Sequence, residues 1–209
     1  MTLQQIEDAA RAEHLAVMGG LHEDGETVLL LGPGEPGFWT WVQTSPEFTD
    51  GAPDRLDRWS ARVIGALAAN LGARAIFPYD GPPYAPFIAW ALASGQAWQS
   101  PVNLLIHAEA GLWASYRGAL ILSGEVGLGA PAANPCPACD APCTTACPVA
   151  ALTPDGYDAD ACRSYVASPE GTACRYQGCA VRRACPVSAS YPRVEAQSAF
   201  HMTHFLKDP

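Results

Sequence analysis

Residues 136–148, CPACDAPCTTACP, contain four of the chain's eight cysteines, and no cysteine precedes them. The remaining four are Cys162, Cys174, Cys179 and Cys185. Both halves of this region end in Cys-Pro, and many residues between the cysteines are small, so the region buries little apolar area of its own. We therefore expect the thiols to bind metal, and metal binding to supply much of the folding free energy here.

The number and spacing of the thiols predict two [4Fe–4S] clusters. Each such cluster takes four thiolates, and in the closely spaced bacterial pattern the fourth cysteine, which precedes a proline, ligates the other cluster. This crossed pattern predicts a first thiol set of Cys136, Cys139, Cys143 and Cys185, and a second thiol set of Cys147, Cys162, Cys174 and Cys179.

Two other kinds of site also use clustered cysteines. Zinc sites usually pair Cys-x2-Cys doublets and do not call for proline after the last cysteine. A disulfide framework uses an even number of cysteines but belongs to oxidising compartments. The N-terminus, MTLQQIEDAARAEHL, lacks the basic start and apolar stretch of a signal peptide, and no apolar run is long enough to span a bilayer. These features predict a cytoplasmic protein with no membrane partner.

Charge and composition limit the partners further. Hydrophobic residues make up 49% of the 209 residues and charged residues only 16%, which predicts a real core rather than disorder. The net charge of −9 repels phosphate backbones, so we do not expect a nucleic-acid partner. The densest basic cluster, Arg175, Arg182 and Arg183, lies among the cysteines. It is either a binding patch or a partial neutralisation of a negatively charged metal site.

The cysteine-free part has the pattern of a mixed α/β (α+β) domain. We expect, in order, a helix over 2–16, a strand over 26–34, an irregular loop over 37–53, a helix over 54–72, a strand over 73–79, a helix over 84–95 and a two-stranded hairpin over 102–124 that turns near 109–111. Thr2 and Asp54 are the expected N-caps, and Gly72 is the expected end of the longest helix.

A change in texture at Gly127, where Gly, Ala and Pro begin to dominate, marks the domain boundary. The predicted organisation is an α/β domain over 1–126, a cysteine domain over 127–190 and a tail over 191–209 that packs on the first domain. The tail carries His201 and His204, which we expect to be packed rather than ligating, and His107 in the hairpin is expected to be structural.

The stretch FPYDGPPYAPFIAWALASGQAWQSPVNLLIHAEAGLWASYRGALIL, residues 77–122, resembles the core of the epoxyqueuosine reductase family when it is taken with the cysteine motif that follows. Reductive dehalogenases share that arrangement. The hairpin is also similar to that of cobalamin-processing proteins of the cobalamin-C type. The resemblance implies a nitroreductase-like α/β sheet domain that binds a corrinoid, followed by a ferredoxin-like domain with two [4Fe–4S] clusters.

The resemblance also implies roles for individual residues. Asp80 matches the family's proton donor, and Trp113, Arg117 and Gly118 match hairpin positions of the corrinoid-binding groups. Three of them have an alternative from the local sequence: Asp80 is ordinary turn chemistry before Gly-Pro-Pro, Trp113 is a core residue, and Arg117 is paired or points into a polar cavity. The chain departs from the family at three places, where Pro86-Phe87, Ser100-Pro101 and Ala119 replace polar or small functional residues.

These observations predict an iron–sulfur electron-transfer protein. Its two clusters would relay single electrons to an unidentified partner protein or to a bound cofactor such as cobalamin in the first domain. The alternatives are a cobalamin-dependent reductase with Asp80 as proton donor, and a corrinoid-processing or corrinoid-binding protein. The residues beyond those needed to surround two clusters favour an acceptor held within the first domain.

Overall fold

The computed structural model describes residues 1–207, so the last two residues of the predicted tail, 208 and 209, lie outside the described residues. The protein is a mixed α/β chain with small antiparallel sheets. The strands are β1 (Leu15–Glu23), β2 (Glu26–Pro33), β3 (Arg74–Ile76), β4 (Ala97–Gln99), β5 (Leu105–His107), β6 (Gly118–Ser123), β7 (Leu152–Thr153) and β8 (Gly156–Tyr157). The helices are α1 (Leu3–Ala12), α2 (Phe38–Gln43), α3 (Pro46–Thr49), α4 (Arg55–Leu71), α5 (Phe87–Ala93), α6 (Ala159–Ala167), α7 (Thr172–Gln177), α8 (Ala180–Ala184), α9 (Pro186–Ser190) and α10 (Glu195–Lys207).

The chain forms two compact units whose limits differ from those of the predicted domains. The first unit consists of Met1–Ala97 and Ser115–Ala132, and the second consists of Trp98–Ala114 and the residues from Ala133 onward. The change at residue 132 lies close to the predicted boundary. The segment from Trp98 to Ala114, which the sequence assigned to the first domain, belongs instead to the cysteine-containing unit.

The first unit contains an antiparallel sheet in the order β1-β2-β6-β3. Helix α4 packs on β3 and β6, α1 packs on β1, and α5 packs on β1 and β2. Every residue of β2 from Thr27 to Pro33 is buried, as expected for a strand with both faces covered. The predicted buried strand over 26–34 is therefore confirmed, and it is the centre of this unit's core.

Helix α4, which the sequence predicts over 54–72, buries one apolar stripe. Leu56, Trp59, Val63, Ile64 and Leu67 are all buried, and the helix ends at Gly72 with a φ of 63°. The predicted cap is wrong in detail, because Asp54 has a φ of 51° and its side chain makes no capping hydrogen bond. At the start of the chain the predicted N-cap is confirmed. The side chain of Thr2 accepts from the amide of Gln5, and the side chain of Gln5 accepts from the amide of Thr2, which forms a capping box at the start of α1.

Three sequence predictions in the first part of the chain were wrong in extent. The expected helix over 2–16 stops at Ala12, after which β1 begins, because His14 takes a φ of 54° and turns the chain. The expected loop over 37–53 contains the short helices α2 and α3. The strand expected over 73–79 is limited to Arg74–Ile76.

The predicted hairpin over 102–124 does not form. Its first strand, β5, pairs with β4, whereas its second strand, β6, pairs with β2 and β3 in the other sheet. Only an isolated bridge joins His107 to Gly111 at the expected turn. Alternation of apolar residues indicates strands but does not specify their partners, which is why the pattern suggested a local pairing.

The second unit is built from short elements around a compact apolar cluster. Val102, Ile106, Leu112, Leu152 and Val181 form this cluster together with the cysteines at 143 and 185. Helix α10 packs on α6 and α7 within this unit, whereas the sequence placed the tail on the first domain. Over the described part of the chain, no helix combines the length and apolarity that crossing a lipid bilayer requires.

Candidate metal centres

The first thiol set surrounds a single cavity. Cys136, Cys139, Cys143 and Cys185 all line one cavity of about 490 Å³ in the second unit. Cys143 and Cys185 are buried, while the other two are partly exposed. Cys185 is far from the other three in sequence, so the fold brings together the four residues that the crossed spacing assigned to one set.

Tight backbone turns place these cysteines. The amide of Cys136 donates to the side-chain oxygen of Asn134 (3.0 Å), and the amide of Cys139 donates to the carbonyl of Cys136 (3.0 Å). Cys143 lies in a short 3-10 helix, Pro142–Thr144. Cys185 joins α8 to α9, and the proline after it occupies the first helical position, where no amide hydrogen is needed. Hydrogen-bonded turns, a short helix and a helix junction thus hold the backbone in place at these four cysteines.

The cavity wall is mainly apolar. Ile106, Leu112 and Val187 contribute to it, together with several prolines and alanines. Among its lining residues in the described part of the chain, Asp140 alone carries a charge, and Asp140 is exposed. Ser100 adds a hydroxyl-bearing residue to the wall. A group held by these thiols would therefore be in an environment of low polarity.

The second thiol set is distributed over the helices that follow. Cys162 lies in α6, Cys174 lies in α7, and Cys179 directly precedes α8. Burial raises the pKa of the Cys162 thiol; the hydroxyl of Tyr157 opposes this, and the nearby thiols of Cys179, Cys147 and Cys174 raise it further. The thiols that act on Cys162 are therefore those of its own set.

The same separation holds for the first thiol set. Burial raises the pKa of the Cys136 thiol, and the thiols of Cys143, Cys185 and Cys139 add to that increase. For both Cys136 and Cys162, the thiols that raise the pKa belong to the set that the crossed spacing assigns to that cysteine.

Hydrogen-bond donors and one cation lie beside the second thiol set. The amide of Ala151 donates to the sulfur of Cys147 (3.2 Å). The hydroxyl of Tyr157 interacts with the Cys162 thiol, and this interaction, after burial, raises the pKa of Tyr157. The guanidinium of Arg182 donates to the carbonyl of Leu112 and lies near Cys179. Burial lowers the pKa of Arg182, and the neighbouring thiol opposes this.

The three arginines of the basic cluster have different surroundings. Arg175 donates through Nε to the carbonyl of Val166 (2.8 Å), and Arg183 donates through Nε to the carbonyl of Gly178 (3.1 Å). Arg182 lies near the thiol of Cys179, which raises its pKa against the effect of burial. Of the two explanations left open by the sequence, charge neutralisation at a metal site fits Arg182, whereas the other two brace backbone carbonyls.

A single metal ion and a [4Fe–4S] cluster require different arrangements of four thiols. Across residues 1–207, no three His, Cys, Asp or Glu side chains are placed so that they could hold a metal ion. The sulfur ligands of a single Zn²⁺ all lie about 2.3 Å from it, which requires them to converge on one point. The thiolates of a [4Fe–4S] cluster instead surround a larger body. Four thiols line one cavity, and all eight cysteines are free rather than joined in disulfides.

Asp80 closes a turn. Its side-chain carboxylate accepts from the amide of Phe77 (3.2 Å), and its own amide donates to the carbonyl of Phe77 (3.2 Å). Asp80 is exposed, at the start of the Gly-Pro-Pro segment. Local turn geometry therefore accounts for an aspartate at this position without a catalytic role.

Arg117 and Gly118 lie in the first unit, at the start of β6. Arg117 is only 12% exposed and pairs with Asp57 (3.1 Å), while its Nε has no hydrogen-bond partner within residues 1–207. Burial lowers the pKa of Arg117, and Asp57 opposes this. A side chain at Gly118 would approach Ile64 to 2.9 Å and Phe77 to 3.2 Å. Close packing of α4 on the sheet thus explains this glycine.

Trp113 belongs to the second unit, so the three residues assigned to a corrinoid site do not share one compact unit. The guanidinium of Arg193 lies 5.1 Å from the centre of the Trp113 ring.

His107 is buried, and its Nδ1 accepts from the amides of Glu109 (3.1 Å) and Ala110 (3.2 Å), which is the structural role expected for it. The Nδ1 of His204 lies 2.8 Å from the carbonyl of Phe200 in its own helix.

Sequence reasoning missed Ser100, Tyr157 and the amide of Ala151 as parts of the thiol environment. Ser100 was visible only as a departure from the family pattern, and Tyr157 had no signal beyond its position five residues before Cys162.

Comparison of the chain with models of protein families, with curated proteins and with solved structures finds no match. The resemblance to epoxyqueuosine reductases accordingly stays a prediction.

Proposed function

We propose that this protein binds two [4Fe–4S] clusters and transfers single electrons to a partner protein or bound cofactor. One observation supports this most directly: the four thiols that the crossed spacing assigns to the first set surround one cavity. When bound, such clusters supply one-electron chemistry at potentials that the surrounding protein sets. A chain with this arrangement meets the ligand requirement of both clusters without a residue from another molecule.

The protein's own residues have three tasks in this function. The thiols hold the clusters, and the turns at Cys136 and Cys139 keep those thiols on one cavity. Apolar side chains such as Ile106 limit the access of water to the first site. Arg182 and the Tyr157 hydroxyl offset negative charge at the second site.

The partner would be an electron donor or acceptor protein that approaches the first thiol set. Cys136 and Cys139 are partly exposed, and Pro137 and Ala138 between them are exposed. An exposed edge of this kind allows a second protein to come close to the centre. With a net charge of −9, we expect that partner to present a basic surface.

The finer fold assignment is part of the same proposal. We assign the second unit to a ferredoxin-like type because each half of its cysteine region ends in Cys-Pro and because the two thiol sets cross between the halves. We assign the first unit to a nitroreductase-like type on the sequence resemblance alone. Its antiparallel sheet with helices packed on it is compatible with an α+β architecture.

A cobalamin-dependent reductase is the second candidate. One observation favours it: the buried guanidinium of Arg117 has an Nε without a partner in the described part of the chain, so an acceptor on a ligand could satisfy it. Asp80 and Gly118, in contrast, are already explained by turn geometry and packing. A corrinoid-processing protein would use the same arginine and no proton donor.

Anaerobic purification or reconstitution tests the main proposal. We expect about eight iron and eight sulfide ions per chain, a brown protein, and electron paramagnetic resonance signals from two centres after reduction. A colourless protein, or one that binds stoichiometric zinc in preference to iron, would contradict the proposal. Adding cob(II)alamin to the loaded protein then separates the candidates, because only a reductase or corrinoid-binding protein changes the cobalamin spectrum.

A further inference from the structure

Ser100 is a buried polar residue in the wall of the cavity that the first thiol set surrounds, called here the first cavity. The residue is only 5% exposed, and its hydroxyl oxygen is buried without a hydrogen-bond partner among the described residues. It lines the same cavity as the four cysteines of the first thiol set. A buried hydroxyl without a partner destabilises a protein, so its presence calls for an explanation outside the protein's own hydrogen bonds.

The backbone of Ser100 is held firmly in place. Its amide donates to the carbonyl of Leu104 (2.8 Å), and its carbonyl accepts from the amide of Asn103 (3.0 Å), which closes the turn between β4 and β5. The backbone groups are therefore satisfied, and only the hydroxyl is not. Alanine would fill nearly the same volume without burying a polar atom.

The surroundings restrict what this hydroxyl could bind. The apolar neighbours in the cavity wall, such as Ile106 and Leu112, offer no side-chain acceptor, and the charged wall residue Asp140 is exposed to solvent. Among the described residues, neither a backbone carbonyl nor a cysteine sulfur accepts from this hydroxyl, so a sulfur of a cluster held in the cavity is the acceptor that the proposed function would supply. Hydrogen bonds to such sulfurs stabilise added negative charge and so raise the reduction potential.

We propose that Ser100 is a positioning residue that donates a hydrogen bond to a sulfur of the group held in the first cavity. This inference rests on the proposed function, since it requires an iron–sulfur centre at the first thiol set. The hydroxyl stabilises the reduced form of that centre and leaves the centre at the second thiol set unchanged. The change in reduction potential is confined to the first centre because Ser100 and the first thiol set line the same cavity.

Two variants of matched shape isolate the hydroxyl. Ser100→Thr keeps it, and Ser100→Val replaces it with a methyl group. Ser190→Ala is the control, because the hydroxyl of Ser190 is exposed and already donates to the carbonyl of Val187 (2.9 Å). Each variant is loaded anaerobically, its iron is counted, and the midpoint potential of each centre is determined by redox titration followed by electron paramagnetic resonance. Loss of one signal in Cys136→Ala assigns that signal to the first centre.

We expect the midpoint potential of the first centre to fall in Ser100→Val and in Ser100→Ala, and to stay at the wild-type value in Ser100→Thr and Ser190→Ala. The second centre keeps its potential in all four variants. Equal potentials in the Val and Thr variants, or equal shifts at both centres, would overturn the role of Ser100 while two centres are still present. A wild-type protein without two centres would instead refute the proposed function itself.

Discussion

The two compact units are stabilised in different ways. The first has no cysteine, and its core is a sheet whose central strand contributes Leu29, Leu30 and Leu31, all fully buried, with α4 packed nearby. The second has strands of only two or three residues, and Cys143 and Cys185 are themselves members of its apolar cluster. Apolar burial thus supports the first unit, whereas under the proposed function the groups that the thiols bind would stabilise the second.

Removal of metal is the strongest way to test this difference. When a chelator strips the loaded protein, we expect amides of α6 and α7 to lose nearly all protection from hydrogen exchange, because ligand binding and folding are coupled in small metal-bound units. Amides of β2 and α4 should keep their protection. Hydrogen exchange followed by mass spectrometry distinguishes the two regions, and parallel loss of protection in β2 would show that one cooperative core serves both units.

Replacement of single cysteines by alanine tests which four thiols belong to each set. Cys185→Ala should abolish the same spectroscopic centre as Cys136→Ala, although the two cysteines lie in opposite halves of the motif. Cys147→Ala should abolish the other centre, as should Cys162→Ala. Each variant is expected to lose about half of its iron. The crossed assignment would fail if Cys147→Ala and Cys136→Ala removed the same signal.

Local sequence signals predicted most of the elements of the first unit but not their pairing. The run ETVLLLGPG indicated β2, and the stripe through Trp59 and Ile64 indicated α4, because burial on one face leaves a periodic pattern. Strand β1 was missed because the chain turns at His14, a residue with no turn signature in its neighbours. Strands β5 and β6 were paired wrongly, since partner choice depends on contacts distant in sequence.

The candidate site was more predictable than the fold around it. Cysteine spacing alone predicted the four cysteines that line one cavity, because thiolates that share a cluster must come from short turns or from one distant segment. The supporting residues had no such pattern: Ser100 and Tyr157 reach the thiols only through the tertiary fold. A family resemblance also predicted a site from Trp113, Arg117 and Gly118, yet these residues are divided between the two compact units.

A smaller effect is expected from the charge beside the second thiol set. Arg182→Gln should lower the midpoint potential of the second centre alone, because a nearby cation stabilises the more negative reduced state. Arg182→Lys should restore most of the potential. Arg183→Gln is the matched control, since Arg183 lies on the same helix, is exposed and donates through Nε to the carbonyl of Gly178. Redox titration of both centres gives the answer, and an equal shift from the two glutamine variants would exclude a specific role for Arg182.

The smallest predicted effect concerns an ion pair in the first unit, where metal should not matter. Glu47 is only 7% exposed, and its hydrogen bond with Arg62 (2.5 Å) lowers its pKa to about 2. Arg62 is half exposed, so we expect the pair to contribute roughly 1–2 kcal/mol after solvent screening. Because the folded pKa is depressed, this stability is present above about pH 4.5 and is lost as the pH falls toward 2.

Glu47→Gln should therefore lower the free energy of unfolding of the first unit at pH 7. It should also remove the loss of stability between about pH 4.5 and pH 2 that comes from this ion pair. Urea titration of the protein after a chelator has removed its metal measures both effects. Asp8→Asn is the control, because the Asp8–Arg11 pair is exposed on both sides and is expected to contribute less than about 0.5 kcal/mol. The loaded protein should show the same difference between Glu47→Gln and wild type, because the first unit contains none of the thiols. If the effect of Glu47→Gln changed on metal loading, the stability of the first unit would have to depend on the second, and the two modes of stabilisation could not be independent.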